Sequence, residues 1–165
     1  MNIVLVEPEI PPNTGNIARL CAATGSRLHL VGRLGFRLTS AQLRRAGLDY
    51  WDAVEIVRHG SFAEFGLALT GTRRFYFSTR GRSLYTDVRY QPGDVLVFGS
   101  ESHGLSDEIL SANAAQVVGI PMRVEQVRSL NLATAAGIVL YEALRQINGG
   151  EPPPSLLSDS LALTP

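Results

Sequence analysis

Lysine is missing from this chain. All fifteen basic residues among its 165 are Arg. A phosphate-loop lysine, a Schiff-base lysine and a Ser–Lys dyad are therefore excluded. Genomic base composition accounts for the absence without functional pressure. It still leaves cations that can all meet phosphate in planar, bidentate fashion. Cysteine is nearly absent too. Cys21 stands alone, so no intramolecular disulfide and no thiolate metal cluster can form, which suits a reducing, cytoplasmic compartment. No window approaches the ~18 apolar residues of a membrane helix. The opening MNIVLVEPEIPP has no basic region and only a five-residue apolar run, so it does not read as a signal peptide.

Net charge is absent as well, with 15 basic and 15 acidic residues. The zero conceals an uneven distribution. Residues 10–90 hold twelve Arg against five acids, +7, and residues 91–165 hold three Arg against eight acids, −5. A basic face for a polyanion is compatible with this, and so is a fold that intersperses the charges in space. Apolar residues make up 45% of the chain, enough for one globular domain with its own core.

What is present alternates. Asn2–Val6 reads as a buried strand, halted by the acids and prolines that follow. Asn13 or Thr14 is the expected cap of a helix running to about Thr24 and stopped by Gly25. Strands are expected at 27–31, 53–57, 74–78, 94–98 and 117–120. Helices are expected at 40–46, 61–69, 106–111 and 130–147. The strands are continuous apolar runs, the mark of an α/β domain with a mainly parallel sheet and helices on both faces. Residues from about 148 onward, rich in Pro and Gly, read as a flexible tail.

Several chemistries drop out. The turn after the first strand, EPEIPPNTGN, has no G-x-G-x-x-G fingerprint. GSESHGLS at 99–106 places Leu105 where a phosphate loop needs lysine. The nucleophile elbow G-x-S-x-G does not occur. His29 within a strand, His59 in an expected turn and Cys21 in a helix make a poor zinc set.

Three segments remain unusual. NTGNIAR (13–19) opens a helix and sets Arg19 in its second turn, the makings of a phosphate contact or of a plain capped helix. FGSESHGL (98–105) follows the most apolar strand, with Gly99 and Gly104 permitting close backbone approach and Glu101 between them. IPMRVEQVRSLNLATAA (120–136) is a long loop reaching Ser129, the expected cap, and Asn131. Small residues after Asn131 imply that something packs tightly on that helix.

In this order, the three segments resemble the three motifs of the SPOUT superfamily of RNA methyltransferases. The chain is most similar to the tRNA (cytidine/uridine-34 2′-O)-methyltransferase family. EPEIPPNTGNIARLCAATG (7–25), LRRAGLDYWD (43–52), FGSESHGL (98–105) and IPMRVEQVRSLNLATAAGIVLYEALRQ (120–146) carry the likeness, which covers about residues 1–147. The resemblance implies a methyltransferase domain over 1–147, with a deep trefoil knot toward its C-terminal end. It implies S-adenosylmethionine as cofactor, no metal, and contacts from Phe77, Gly99, Ile120, Met122, Ser129 and Leu130. It implies Arg19, Ser129 and Asn131 as catalytic, with Arg19 acting across a homodimer interface and Glu101 bracing the second-motif loop. The implied partner is the anticodon stem-loop of tRNA, with neither DNA nor membrane. Arg19, Arg44, Arg45 and Arg80 are its expected contacts, and Arg73, Arg74 and Arg82 are further candidates. Ser102-His103 departs from the Thr-Arg common in such relatives. A SPOUT enzyme for another tRNA position or for ribosomal RNA, or a non-catalytic RNA-binding factor on the same fold, are the alternatives.

Overall fold

Prolines and glycines divide the chain into short elements. The structure, a computed structural model, describes residues 1–36, 54–123 and 125–149. Strand β1 (Asn2–Val6) leads into helix α1 (Pro11–Thr24), then β2 (Arg27–Val31). After the undescribed stretch come β3 (Ile56–His59), α2 (Phe62–Ala68), β4 (Arg74–Phe77) and β5 (Ser83–Leu84). Then follow β6 (Val95–Phe98), α3 (Asp107–Ala112), a 3₁₀ turn (Ala114–Gln116), β7 (Val117–Gly119) and α4 (Leu132–Ile147). The expected helix at 40–46, together with Arg44 and Arg45, lies outside the described residues. So does the tail beyond 149.

The strands form one sheet in the order β3-β2-β1-β6-β4-β7-β5, and every pairing is parallel. Successive strand residues point to opposite faces, and two cores follow from that alternation. Ile3, Leu5, Leu28, Leu30, Leu96 and Phe98 pack on one face with Ile17 and Cys21 of α1 and Val139 and Leu140 of α4. Val4, Val31, Val95, Val97 and Tyr76 pack on the other with Phe65 of α2 and Leu110 of α3. The buried stripe of α4, Ala136, Val139, Leu140 and Ala143, has the spacing of one helical face. Truncating Leu140 to alanine there would cost about 2–5 kcal/mol. Helix α4 lies against α1, with Ala136 and Ala143 in the core they share, but a Cβ at Gly137 would meet nothing within 4 Å, so the close packing expected around that residue is not found.

Three boundaries differ from the sequence reading. Helix α1 begins at Pro11 with Ile10 as a cap that offers no side chain, and neither Asn13 nor Thr14 caps it. Proline at the first helical position has its φ preset for a helix and no N–H to satisfy. Gly25 ends the helix in the left-handed conformation, as expected. Helix α4 begins at Leu132, capped by Asn131 and not by Ser129. Strand β3 is displaced to 56–59, which puts His59 at a strand end and not in a turn. The two-residue β5, exposed and too short to show a period, has no sequence signal.

Strand β7 enters between β4 and β5, although β5 comes earlier in the chain. The segment joining those two strands clasps it. Ser78 N–H donates to the Val118 carbonyl and Tyr85 N–H to the Gly119 carbonyl, each at 3.0 Å. Gly81 crosses so close that a Cβ there would overlap the backbone of Val118 and Gly119. Only glycine fits this crossing.

Candidate active site

A cleft of about 550 Å³ opens at the carboxyl ends of β4, β6 and β7, within the size range of small-molecule sites. Phe77 ends β4 and Phe98 ends β6. Their rings stack with centroids 4.8 Å apart and give the cleft an apolar floor. Gly99 carries the chain past that floor. A Cβ at Gly99 would overlap the Gly104 carbonyl carbon and the Leu105 nitrogen, so the 99–105 loop closes only with glycine there. Gly104 N–H donates to the Ser100 carbonyl at 2.9 Å and completes the loop. Ile120 and Met122 follow β7, and Ser129 and Leu130 precede α4. All four line the same cleft. The six residues expected at the cofactor thus converge from four separate stretches of chain.

The wall is held by a hydrogen-bond chain. Ala133 and Thr134 N–H groups donate to Asn131 Oδ1 at 2.9 and 3.2 Å, which caps α4. Asn131 Nδ2 donates to Asn13 Oδ1 at 2.9 Å. Asn13 Nδ2 donates to Glu101 Oε1 at 2.9 Å. Glu101 also accepts from Glu9 N–H at 2.8 Å and Ile10 N–H at 3.3 Å. Its carboxylate therefore holds the two amides that lead into α1, whose own first positions are prolines without N–H and whose Asn13 and Thr14 N–H groups donate to the Ile10 carbonyl. Glu101 was expected to brace its own loop. In the structure it joins that loop to the start of α1, and Asn13 and Asn131 extend the tie to α4. Sequence reasoning took Asn13 only as a cap candidate, and nothing in its position signalled a partner 118 residues away.

Arg80 stands at the cleft, with Nη2 2.6 Å from Asp107 Oδ1. Both side chains are exposed, so this pair contributes at most about 1 kcal/mol and leaves Arg80 open to exchange partners. Arg19, exposed on α1, is not among the residues lining the cleft of its own chain. Arg73 pairs with Asp94 at 3.4 Å and donates to the Arg89 carbonyl at 2.8 Å. Arg74, a candidate phosphate contact by sequence, instead turns inward. It donates to the Gly66 and Leu69 carbonyls at 2.9 and 2.7 Å and lies over the Phe65 ring. The reason is its strand: Arg74 sits in β4 beside α2, where those carbonyls need a donor.

On the far side of the sheet, His29 is a packed strand residue. Its Nδ1 is 3.0 Å from His59 Nε2, its Nε2 is 3.3 Å from Asn2 Oδ1, and the two imidazoles stack. Burial, with His59 as a second cause, pushes the His29 imidazole down to about 4. Burial likewise pushes the Cys21 thiol up to about 12, which leaves it unreactive near neutral pH.

A parallel sheet with an apolar, hydroxyl-edged cleft at its carboxyl ends defines an α/β protein built to hold a small ligand. The chain belongs to the SpoU rRNA methylase family, whose pattern matches residues 1–141. It is 49% identical over 148 residues to a tRNA (cytidine(34)-2′-O)-methyltransferase of Escherichia coli, covering 89% of this chain and 94% of that one. A Synechocystis protein described as a putative tRNA (cytidine(34)-2′-O)-methyltransferase is also 49% identical, covering 89% of this chain and 97% of its own. A solved structure described as giving insights into the 2-OH methylation of C/U34 on tRNA superposes with TM-score 0.84. It has 50% identity, over 90% of this chain and 96% of that one. The SpoU methyltransferase AviRb from Streptomyces viridochromogenes, solved with AdoMet, matches with TM-score 0.77 and 26% identity. That match covers 92% of this chain and 59% of AviRb.

Proposed function

We propose that this protein transfers a methyl group from S-adenosylmethionine to the ribose 2′-hydroxyl of the wobble nucleotide, C or U at position 34, of tRNA. The observation that carries this reading is the convergence of Phe77, Gly99, Ile120, Met122, Ser129 and Leu130 on one cleft. The chain's likeness to tRNA (cytidine(34)-2′-O)-methyltransferases supports the substrate.

The cleft's chemistry suits the cofactor. Ile120, Met122 and Leu130 give apolar walls for a purine, and Ser78, Ser100 and Ser129 bring hydroxyls for ribose and amino-acid groups. When bound, S-adenosylmethionine supplies an electrophilic methyl on a sulfonium. The protein's own task is to bring the ribose oxygen into line with that methyl and assist loss of its proton.

Ser129 and Leu130 hold the cofactor in the loop before α4. Both ends of the Asn131 amide are engaged, one on α4 and one on Asn13, so Asn131 acts by fixing that loop. Arg19 reaches the cleft of a second copy, where its guanidinium holds the RNA phosphate and ribose. The working unit is accordingly a homodimer. Residues 1–147 form the methyltransferase domain, knotted where β7 is clasped by the chain from Ser78 to Tyr85, and 148–165 form a tail. Arg44, Arg45 and Arg80 contact the anticodon stem-loop, and the enzyme works in the cytoplasm.

The test is methyl transfer from labelled S-adenosylmethionine to total tRNA from a strain lacking this gene, with the product located by mass spectrometry. The expected product is a 2′-O-methylated pyrimidine at position 34. Transfer only to ribosomal RNA would overturn the substrate, and no transfer to any RNA would overturn the activity.

A further inference from the structure

Ser102 sits between a carboxylate and an imidazole. Its N–H donates to Glu9 Oε2 at 3.0 Å, and its hydroxyl is 2.6 Å from Glu9 Oε1. The same hydroxyl is 2.8 Å from His103 Nδ1. A serine hydroxyl has one proton to give. The bonds from Ser102 hold the Glu9 carboxyl below its ordinary range, so near neutrality it is ionised and only accepts. The hydroxyl proton therefore goes to Glu9, and Nδ1–H of His103 donates to Ser102 Oγ. The ring's tautomer and orientation are thus set, and Nε2 is left facing away from Ser102. The side chain is 86% exposed and stands at the cleft, which Arg80 and Arg128 also line.

We propose that His103 is an RNA-contacting residue. Held by Glu9 through Ser102, its imidazolium donates Nε2–H to a backbone phosphate next to the nucleotide in the cleft. This rests on the RNA-methyltransferase reading above and extends it to a residue with no role there. The charged groups around the ring are consistent with an anion at Nε2. Glu9 Oε1, 3.9 Å away, faces the Nδ1 edge. Glu101, across the loop, is engaged by the start of α1 and by Asn13. Arg80, paired with Asp107, and Arg128 add positive charge along the cleft.

Steady-state methylation of tRNA at saturating S-adenosylmethionine, at fixed pH over a series of salt concentrations, is the test. His103→Ala raises KM for tRNA by roughly three- to tenfold and leaves kcat near wild type. Its salt dependence weakens by about one phosphate contact, a change in slope of roughly 0.7–0.9. His103→Arg restores a low KM. Calorimetric affinity for S-adenosylmethionine stays at the wild-type value in both variants, which separates the effect from misfolding. An unchanged KM in His103→Ala would overturn the proposal. So would a loss confined to kcat, which would make Nε2 an acceptor for the ribose proton. If the wild type methylates tRNA and His103→Ala is indistinguishable from it, this inference alone fails. If the wild type methylates no tRNA, the underlying reading fails with it.

Discussion

Replacing Glu101 by alanine removes the acceptor for three donors at once: Glu9 N–H at 2.8 Å, Asn13 Nδ2 at 2.9 Å and Ile10 N–H at 3.3 Å. Glu9 and Ile10, which lead into α1, lose the acceptor of their amides, while Asn13 and Thr14 N–H keep the Ile10 carbonyl. A hydrogen bond to a charged group contributes roughly 1.5–3 kcal/mol. Glu101 is half-buried and the Ile10 bond is long, so two bonds at the low end give the measure, about 3 kcal/mol. In a chain of 165 residues that corresponds to a fall in Tm of roughly 6–12 °C. Differential scanning calorimetry at fixed protein concentration measures it. Glu101→Gln keeps one oxygen and turns an NH₂ toward a donor, so its fall is about half as large. The same loss frees the Asn13 amide at the cleft, and S-adenosylmethionine affinity drops alongside Tm. A Tm for Glu101→Ala within about 2 °C of wild type would refute the argument that Glu101 braces this junction.

Other outcomes follow from the same geometry. Asn131→Ala removes the α4 cap and the bond to Asn13, costing about 1–2 kcal/mol in urea unfolding, and Ser129→Ala, which removes no cap, costs less. The buried His29 binds its proton only near pH 4, against an ordinary value of 6.5, so the unfolded chain takes up a proton that the folded one refuses as pH falls. Stability is therefore lost between about pH 6.5 and 4, by roughly 3 kcal/mol at the lower end, and His29→Gln flattens that slope in pH-dependent urea titrations. Arg74→Met lowers Tm and leaves KM for tRNA unchanged, because its guanidinium serves the Gly66 and Leu69 carbonyls. Arg80→Ala does the reverse, since its pair with Asp107 lies in solvent, and a matched pair of kinetic and thermal measurements separates the two.

Much of the sheet was legible because parallel strands buried on both faces read as continuous apolar runs. NIVLV, RLHLV and DVLVF identify their strands within a residue. Ser61 and Ser106, the first residues of two expected helices, prove to be their caps, each accepting from an amide three residues on. The failures have the opposite character. Asn131 displaced Ser129 as a cap because it also has a partner, Asn13, that no local pattern reveals. Arg74 was counted with the phosphate contacts because charge in sequence does not tell which carbonyls lie beside it. The insertion of β7 between β4 and β5 has no counterpart in periodicity, and its one trace is Gly81, unremarkable until Val118 is seen against it. The family resemblance supplied the grouping of the cleft residues. Periodicity supplied only the strand ends on which they lie.

The central claim is that methyl transfer occurs in the cleft at the ends of β4, β6 and β7. A crystal structure with S-adenosylhomocysteine tests it most directly. The account predicts one molecule per chain, its purine among Ile120, Met122 and Leu130, with Ser129 and the Gly99 loop around its ribose and amino-acid groups. Density for the ligand at another place on the sheet, such as the hollow near Met1, Cys21 and Arg27 at the opposite strand ends, would contradict it.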